Sequence, residues 1–446
     1  MSDESAMLIE CDDAQAGEER GFASRQAVLA LVMLTLAYVC VALDRAIISI
    51  VLQPLKSEFA LSDSQLGMLP LAFSLFFVAA GIPLGMLADR ASRQRIIACS
   101  LFAFSLATVL CGAVQNFLHL LLARVGVGAG EAGCGPAAMS MISDLFPERQ
   151  RASALSCYYL ATPIGIILTF VVGGYLVGAY GWRVAFLGAG LPGLLLAIVL
   201  FFTLREPARE VSASGGRAES AGSLLNVVRR MLGRPALRHL SLGITLNAVV
   251  SAAIVIWYAP FLVRIHGVSV AHAGLLVGLF YGGISMIGVL GGGLVADWLS
   301  RYGYAWRARL VAVAALLSAP ALLGMLLAPG MPLMLVCLAG WAILSSIWYG
   351  PAFGMSQSLV PVYQRATLVS LLYLLTNLVG AGGGPQLVGL FSDLLEPYFG
   401  IHSLPYGMAF MVVGHLWAVW HFYRAGCVVE RELADQETSA GASDVR

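Results

Sequence analysis

The sequence predicts an all-α membrane protein, with twelve transmembrane helices forming two pseudo-symmetric six-helix bundles. Three observations carry this expectation. Hydrophobic residues make up 59% of the 446 positions and charged residues only 11%, against roughly a quarter charged in soluble domains. Twelve apolar runs approach or exceed the roughly 20 residues that a bilayer crossing needs, six before a polar stretch and six after it. A motif after the second run, GMLADRASRQR from Gly85 to Arg95, returns after the eighth as GGLVADWLSRYG, where Gly293, Asp297 and Arg301 keep the offsets of Gly85, Asp89 and Arg93.

Taken in order, residues 1–25 are acidic and polar, carry no cleavable leader and read as a cytoplasmic tail. The first bundle occupies 26–204, with spans near 26–52, 64–88, 95–115, 117–143, 151–179 and 183–204. The linker, 205–236, is rich in Ser, Gly and Ala around Val211 to Gly222 and reads as flexible. After it, Ser223 is placed to cap a short helix carrying Leu224, Leu225, Val228, Met231 and Leu232 beside Arg229 and Arg230, an interfacial pattern for which a solvated connector is the alternative. The second bundle, 237–426, has spans near 237–264, 271–299, 308–328, 331–360, 365–392 and 405–425; residues 427–446 are expected to be a disordered cytoplasmic tail. Arginines gather on one side of these spans, while the other side holds Lys56, Arg183 and Arg264. The positive-inside rule then puts both termini in the cytoplasm of an inner-membrane protein.

Several classes are excluded. A net charge of +1 with no basic domain argues against a nucleic-acid partner. Eight dispersed cysteines without a CxxC pair read as packing residues, and no metal or cofactor is expected. No HExxH, Walker loop or nucleophile elbow is present, so the chain is not expected to be an enzyme.

Four ionisable residues lie inside spans of the first half: Asp44 and Arg45 in the first, Arg124 and Glu131 in the fourth. Each costs at least about 2.5 kcal/mol at the bilayer centre if it faces lipid, so they should share a hydrated interior. Arg124 and Glu131 are two turns apart, about 10 Å along the axis. Asp44 and Arg45 are neighbours whose side chains diverge by about 100° and cannot pair. The economical arrangement crosses between helices, Asp44 to Arg124 and Glu131 to Arg45 or a substrate. Burial favours the neutral form of a carboxyl and a nearby arginine favours the charged form, so moving the arginine switches proton affinity. Asp44 and Glu131 are therefore the candidates for proton coupling, with a structural ion-pair network as the alternative. The second half offers no such charge; its candidates are Trp257, Tyr281, Trp348, Tyr349, Tyr373 and Asn377. A charged wall facing an apolar, aromatic one suits an amphipathic anion, although each of these residues also suits ordinary helix packing.

The Gly85–Arg95 motif resembles the signature of the major facilitator superfamily, Gly-x-Leu-Ala-Asp-Arg-x-Gly-Arg-Arg, departing from it at Ser92 and Gln94. The resemblance marks Asp89 and Arg93 as an inter-helix latch, and the latch set expected is Gly85, Asp89, Arg90, Arg93, Asp144, Arg151, Asp297 and Arg301. The run from Arg124 to Gly165, the Leu-Asp-Arg of Leu43 to Arg45 and the stretch Gly380 to Asp393 resemble the spinster family of that superfamily. This implies a carrier of lysophospholipids or sphingosine phosphate, driven by the proton gradient, with the family's functional acid and arginines falling on Asp44, Arg45, Arg124 and Glu131. Its partners would be a small amphipathic substrate, protons and the bilayer, with one chain sufficient as a pathway. The same charges also resemble the organic anion:proton symporters, so a small carboxylate is the alternative substrate, and an exporter of amphiphiles is another.

Overall fold

The computed structural model describes residues 25–88, 91–204, 206 and 217–443. Within a bilayer each backbone N–H and C=O must be satisfied inside its own segment, which leaves the helix as the way for an apolar run to cross. The first half comprises α1 (Arg25–Phe59), α2 (Asp63–Ala88), α3 (Arg93–Cys111), α4 (Phe117–Glu131), α5 (Cys134–Leu145), α6 (Glu148–Tyr159), α7 (Ala161–Leu168), α8 (Gly174–Tyr180) and α9 (Trp182–Thr203). After the linker helix α10 (Arg217–Gly233), the second half comprises α11 (Pro235–His266), α12 (Val270–Val277), α13 (Ser285–Leu299), α14 (Ala305–Leu327), α15 (Met331–Leu344), α16 (Tyr349–Ser358), α17 (Val362–Leu375), α18 (Gly384–Phe399), α19 (Ser403–Ala409) and α20 (Met411–Ser443). Side chains cap several starts: Asn116 accepts from the His119 N–H at 2.9 Å before α4, and Ser269 accepts from the His272 N–H at 3.3 Å before α12.

Ten helical stretches among the described residues are long and apolar enough to cross a membrane. The difference from twelve runs has two causes. The fourth span is interrupted at Ala132–Gly133, directly after Glu131, into α4 and α5. Pro136, three residues beyond that break, has no N–H to continue the ladder. The eleventh and twelfth spans form one apolar helical stretch, Thr367–Ala434, within which Gly400, at φ +55°, makes the turn. Three spans also carry π-helical turns, at Thr169–Gly173, Gly278–Ile284 and Thr376–Gly383. Such turns leave a local irregularity in the ladder and occur often at functional positions.

The halves meet along two seams, α1 and α2 against α11 and α18, and α7–α8 against α12–α13. Small residues permit the approach. A Cβ on Gly274 would lie 2.3 Å from the carbonyl oxygen of Phe170, so only glycine fits where α12 crosses the fifth span.

The segment from Cys427 differs from the disordered tail expected from its composition, because α20 continues to Ser443. Two of its carboxylates meet helix starts whose N–H groups have no partner in their own helices. Glu432 accepts from the Ala236 N–H of α11 at 2.7 Å, and Glu430 from the Ala305 N–H of α14 at 3.0 Å. Val429 between them is fully buried. Truncation after Gly426 should therefore cost at least about 2 kcal/mol, from one buried valine and two lost caps. It should lower the thermal unfolding midpoint in detergent, and a midpoint equal to that of the full chain would show that this segment does not staple the second half.

Candidate functional site

Two spans, the first and the fourth, bring the four charges together. Asp44 on α1 and Arg124 on α4 have side chains each 1% exposed and pair at 3.0 Å, Nη1 to Oδ2. Thr108 of α3 donates to the other Asp44 oxygen at 2.5 Å, so the carboxylate is held from two sides. Arg45, one residue on, points elsewhere. Its Nε donates to Glu131 Oε1 at 2.7 Å and its Nη2 lies 2.5 Å from the same oxygen. Both crossings anticipated between the first and fourth spans are thus present. The two pairs are unlike in one respect: the Arg45 side chain is 29% exposed whereas that of Glu131 is 1% exposed. Glu131 Oε2 is buried with no hydrogen-bond partner among the described residues.

Arg45 is also the member of this group that reaches the second half. Its Nη1 stands 3.4 Å from Tyr373 Oη and 3.4 Å from Asn377 Oδ1. Asn377 lies in the π-turn Thr376–Gly383. Phe77 of α2 lies under the same guanidinium, 4.9 Å from its carbon, and Phe73 stands 5.0 Å from that of Arg124. Such faces stabilise a cation without neutralising it.

Arg45 and Glu131 line a cavity of about 440 Å³, within the usual range for small-molecule sites. Its aromatic lining is drawn mostly from the first half. Tyr38, Phe77, Tyr158 and Tyr159 come from the first half, and Tyr373 is the second-half aromatic that lines it. Tyr38 stacks on Tyr158 with centroids 4.7 Å apart, and Tyr159 donates to Met139 Sδ at 3.0 Å. The other second-half aromatic candidates lie outside this lining. Trp257 is fully buried and donates to the Pro385 carbonyl at 2.9 Å, joining α11 to α18. Trp348 stacks on Tyr349 at 4.2 Å, and the Tyr281 carbonyl accepts from Ser285. Tyr38 was findable in the sequence, lying two turns before Arg45 on the same face; Tyr158 and Tyr159 had no comparable marker.

Of the latch set, Asp89 and Arg90 lie outside the described residues. Beside Gly85 nothing lies within 4 Å of where a Cβ would be. Arg93 donates to Asp144 at 2.5 Å and to Ser140 at 2.9 Å, and its Nε to Glu206 at 3.3 Å, tying α3 to α5 and to the linker start. Burial would raise the Glu206 carboxyl, but hydrogen bonds from Ser92 and Arg93 outweigh it and hold the group below its usual range. Arg151 and Arg301 are exposed, and Asp297 pairs with Arg307 at 2.8 Å. These contacts bind helices within a half. Bonds between halves gather at the opposite end of the bundle: Arg264 of α11 reaches Asp63 at 2.8 Å and Gln53 at 2.5 Å, and Ser392 of α18 donates to Asp63 at 2.6 Å, while Lys56, in the same half as Asp63, reaches it at 2.7 Å. The sequence reading had Lys56 and Arg264 only as topology markers.

A two-half helical bundle, shut at one end and enclosing a cavity with buried charges, defines a membrane transporter and not an enzyme. The family model for the Major Facilitator Superfamily matches residues 34–385, and the chain belongs to that superfamily. Within it the chain is of spinster type. A bacterial homologue of the human lysosomal transporter Spinster, solved in an inward-facing and unoccupied conformation, is 29% identical and superposes with a TM-score of 0.85 over 92% of this chain and 99% of the other. A curated "MFS-type efflux pump" of Mycolicibacterium smegmatis is 30% identical, covering 91% of this chain and 92% of its own. A sphingosine-1-phosphate transporter of Danio rerio is 27% identical, covering 79% and 74% respectively.

Asp44→Asn should be the most damaging single change to stability here. It leaves Arg124 charged and buried, a loss of about 3–5 kcal/mol when one partner of a buried pair is removed. The double change Asp44→Leu with Arg124→Met should recover much of the thermal unfolding midpoint while abolishing transport. If the double variant melts no higher than Asp44→Asn, the pair is not what stabilises this region.

Proposed function

We propose that the protein is a proton-coupled secondary carrier working by alternating access, which moves an amphipathic anion of lysophospholipid or sphingoid-phosphate type across the inner membrane. The observation that carries this reading is the half-exposed state of Arg45. Its guanidinium forms part of the wall of an apolar and aromatic cavity and is held there by one oxygen of an otherwise buried carboxylate. Protonating Glu131 removes the charge that holds Arg45. The freed guanidinium then offers forked donors to a phosphate or carboxylate, while Tyr38, Phe77 and Tyr159 accept an apolar body. Proton and anion thereby favour one another's binding. Tyr373 and Asn377 carry the change to the second half, since both stand at Arg45. The sphingosine-1-phosphate transporter among the relatives supports the substrate class, and the efflux pump supports a transport role. The arginine distribution supports cytoplasmic termini.

Binding should strengthen along a series of lysophospholipids or sphingoid phosphates by up to about 0.8 kcal/mol per buried methylene until the cavity is filled. Scintillation-proximity or thermal-shift titration over the chain-length series reads this directly. Affinity flat with chain length, or preference for a short hydrophilic acid, would move the assignment to a small-carboxylate symporter.

Glu131→Gln copies the protonated side chain at nearly constant volume. In proteoliposomes it should abolish uphill uptake driven by a pH gradient while preserving substrate exchange at a measurable fraction of wild type. Undiminished uphill uptake by this variant would remove Glu131 from the coupling role.

A further inference from the structure

The shut end of the bundle contains, besides its charges, hydrogen bonds of a second kind. Pro260 lies inside α11. It has no N–H, so the carbonyl of Ile256, four residues earlier, loses the helical partner it would otherwise have. That carbonyl faces the other half. Ser49 of α1, 1% exposed, places its hydroxyl 2.9 Å from the Ile256 oxygen and 3.1 Å from that of Val255. The seam repeats the principle with donors and acceptors exchanged. The first N–H groups of α2, at Asp63 and Ser64, have no partner in their own helix, and the Asp393 carboxylate of α18 accepts one on each oxygen at 2.8 Å.

We propose that Ser49 is a positioning residue that selects the shut state of this end, by supplying in trans the hydrogen bond that Pro260 denies to Ile256. The proline creates the demand and the serine meets it only while α1 and α11 are together. Opening this end separates the donor from the carbonyl, which must then find water in a place that was dry, whereas every α11 carbonyl with a normal helical partner is indifferent to the movement. The bond is neutral and lies deeper than the charged cluster of Lys56, Asp63 and Arg264, Ser49 being two turns before Lys56 on α1, so changes in ionic strength should leave it intact.

The test measures distance and needs no substrate, so its outcome is separate from that of the transport reading. Spin labels are placed at Ser57 and Ile401, both exposed and on opposite halves at this end, in a background lacking the exposed cysteines Cys99, Cys157 and Cys427. Ser49→Ala should raise the ratio of open to shut populations on the order of tenfold, the effect of leaving one buried carbonyl unsatisfied. Pro260→Ala returns an N–H to the helix, so Ser49→Ala in that background should change the ratio by less than about twofold, because distinct contributions add and shared ones do not. Both backgrounds are checked for monodispersity and thermal unfolding, so that a misfolded sample is not scored. An unchanged ratio on Ser49→Ala, or an equal shift with and without Pro260, overturns the proposal.

Discussion

The pair formed by Asp44 and Arg124 is the contact on which the rest of this structure depends. Two ions taken from water into a bilayer are tolerated only if each finds the other. Here that requirement brings α1 against α4, with Thr108 of α3 completing the carboxylate. Once Asp44 is fixed, the next residue, Arg45, is turned about 100° around the helix and cannot join it. It emerges into the cavity instead. A solvent-free pair and a partly solvated one are thus produced by two adjacent residues, and the helical repeat decides which is which.

The cavity takes its character from that division. Arg45 is charged and accessible, yet the surfaces around it are rings and aliphatic chains. Glu131 accepts both of its short contacts on one oxygen and leaves the other without a partner among the described residues. An oxygen in that condition is a place where a proton reduces an electrostatic cost. The interruption of the fourth span immediately after Glu131, and the π-turn that carries Asn377, set irregular backbone on both sides of the guanidinium. Irregular backbone is tolerated at membrane depth where it borders a cavity and is enclosed by protein.

The two ends of the bundle solve different problems. At one, Arg93 with Asp144 and Asp297 with Arg307 join helices inside a half. At the other, Asp63 collects Lys56, Arg264 and Ser392, while Asp393 and Ser49 reach backbone groups across the seam. In the alternating-access cycle proposed for this carrier, contacts within halves would preserve rigidity and contacts between halves would define its states. The glycines at the seams, such as Gly274 against Phe170, make the shut arrangement close enough for these bonds to form.

The sequence by itself determined the spans, the duplication, the four intramembrane charges and their pairing across helices. Each follows from a one-dimensional rule: apolar length for a crossing, repeated offsets for the duplication, and angular divergence of neighbours for the pairing. It did not reveal that Tyr158 and Tyr159 line the cavity beside Arg45, because an aromatic ring is as well placed in a packed core as beside a cavity. Trp257 and Trp348 look no different in the sequence from Tyr38 and Tyr158. Nor did it reveal the roles of Asp63, Arg264 and Asp393, since charges at helix ends are ordinary and their partners are distant along the chain. Composition marked the last segment as disordered, yet Glu430 and Glu432 find uncapped helix starts on α14 and α11. What only the tertiary structure decided is therefore which polar group meets which when the two halves close. That is set by where unsatisfied backbone and buried charge come within hydrogen-bonding distance, a property of the packed helices that local sequence does not encode.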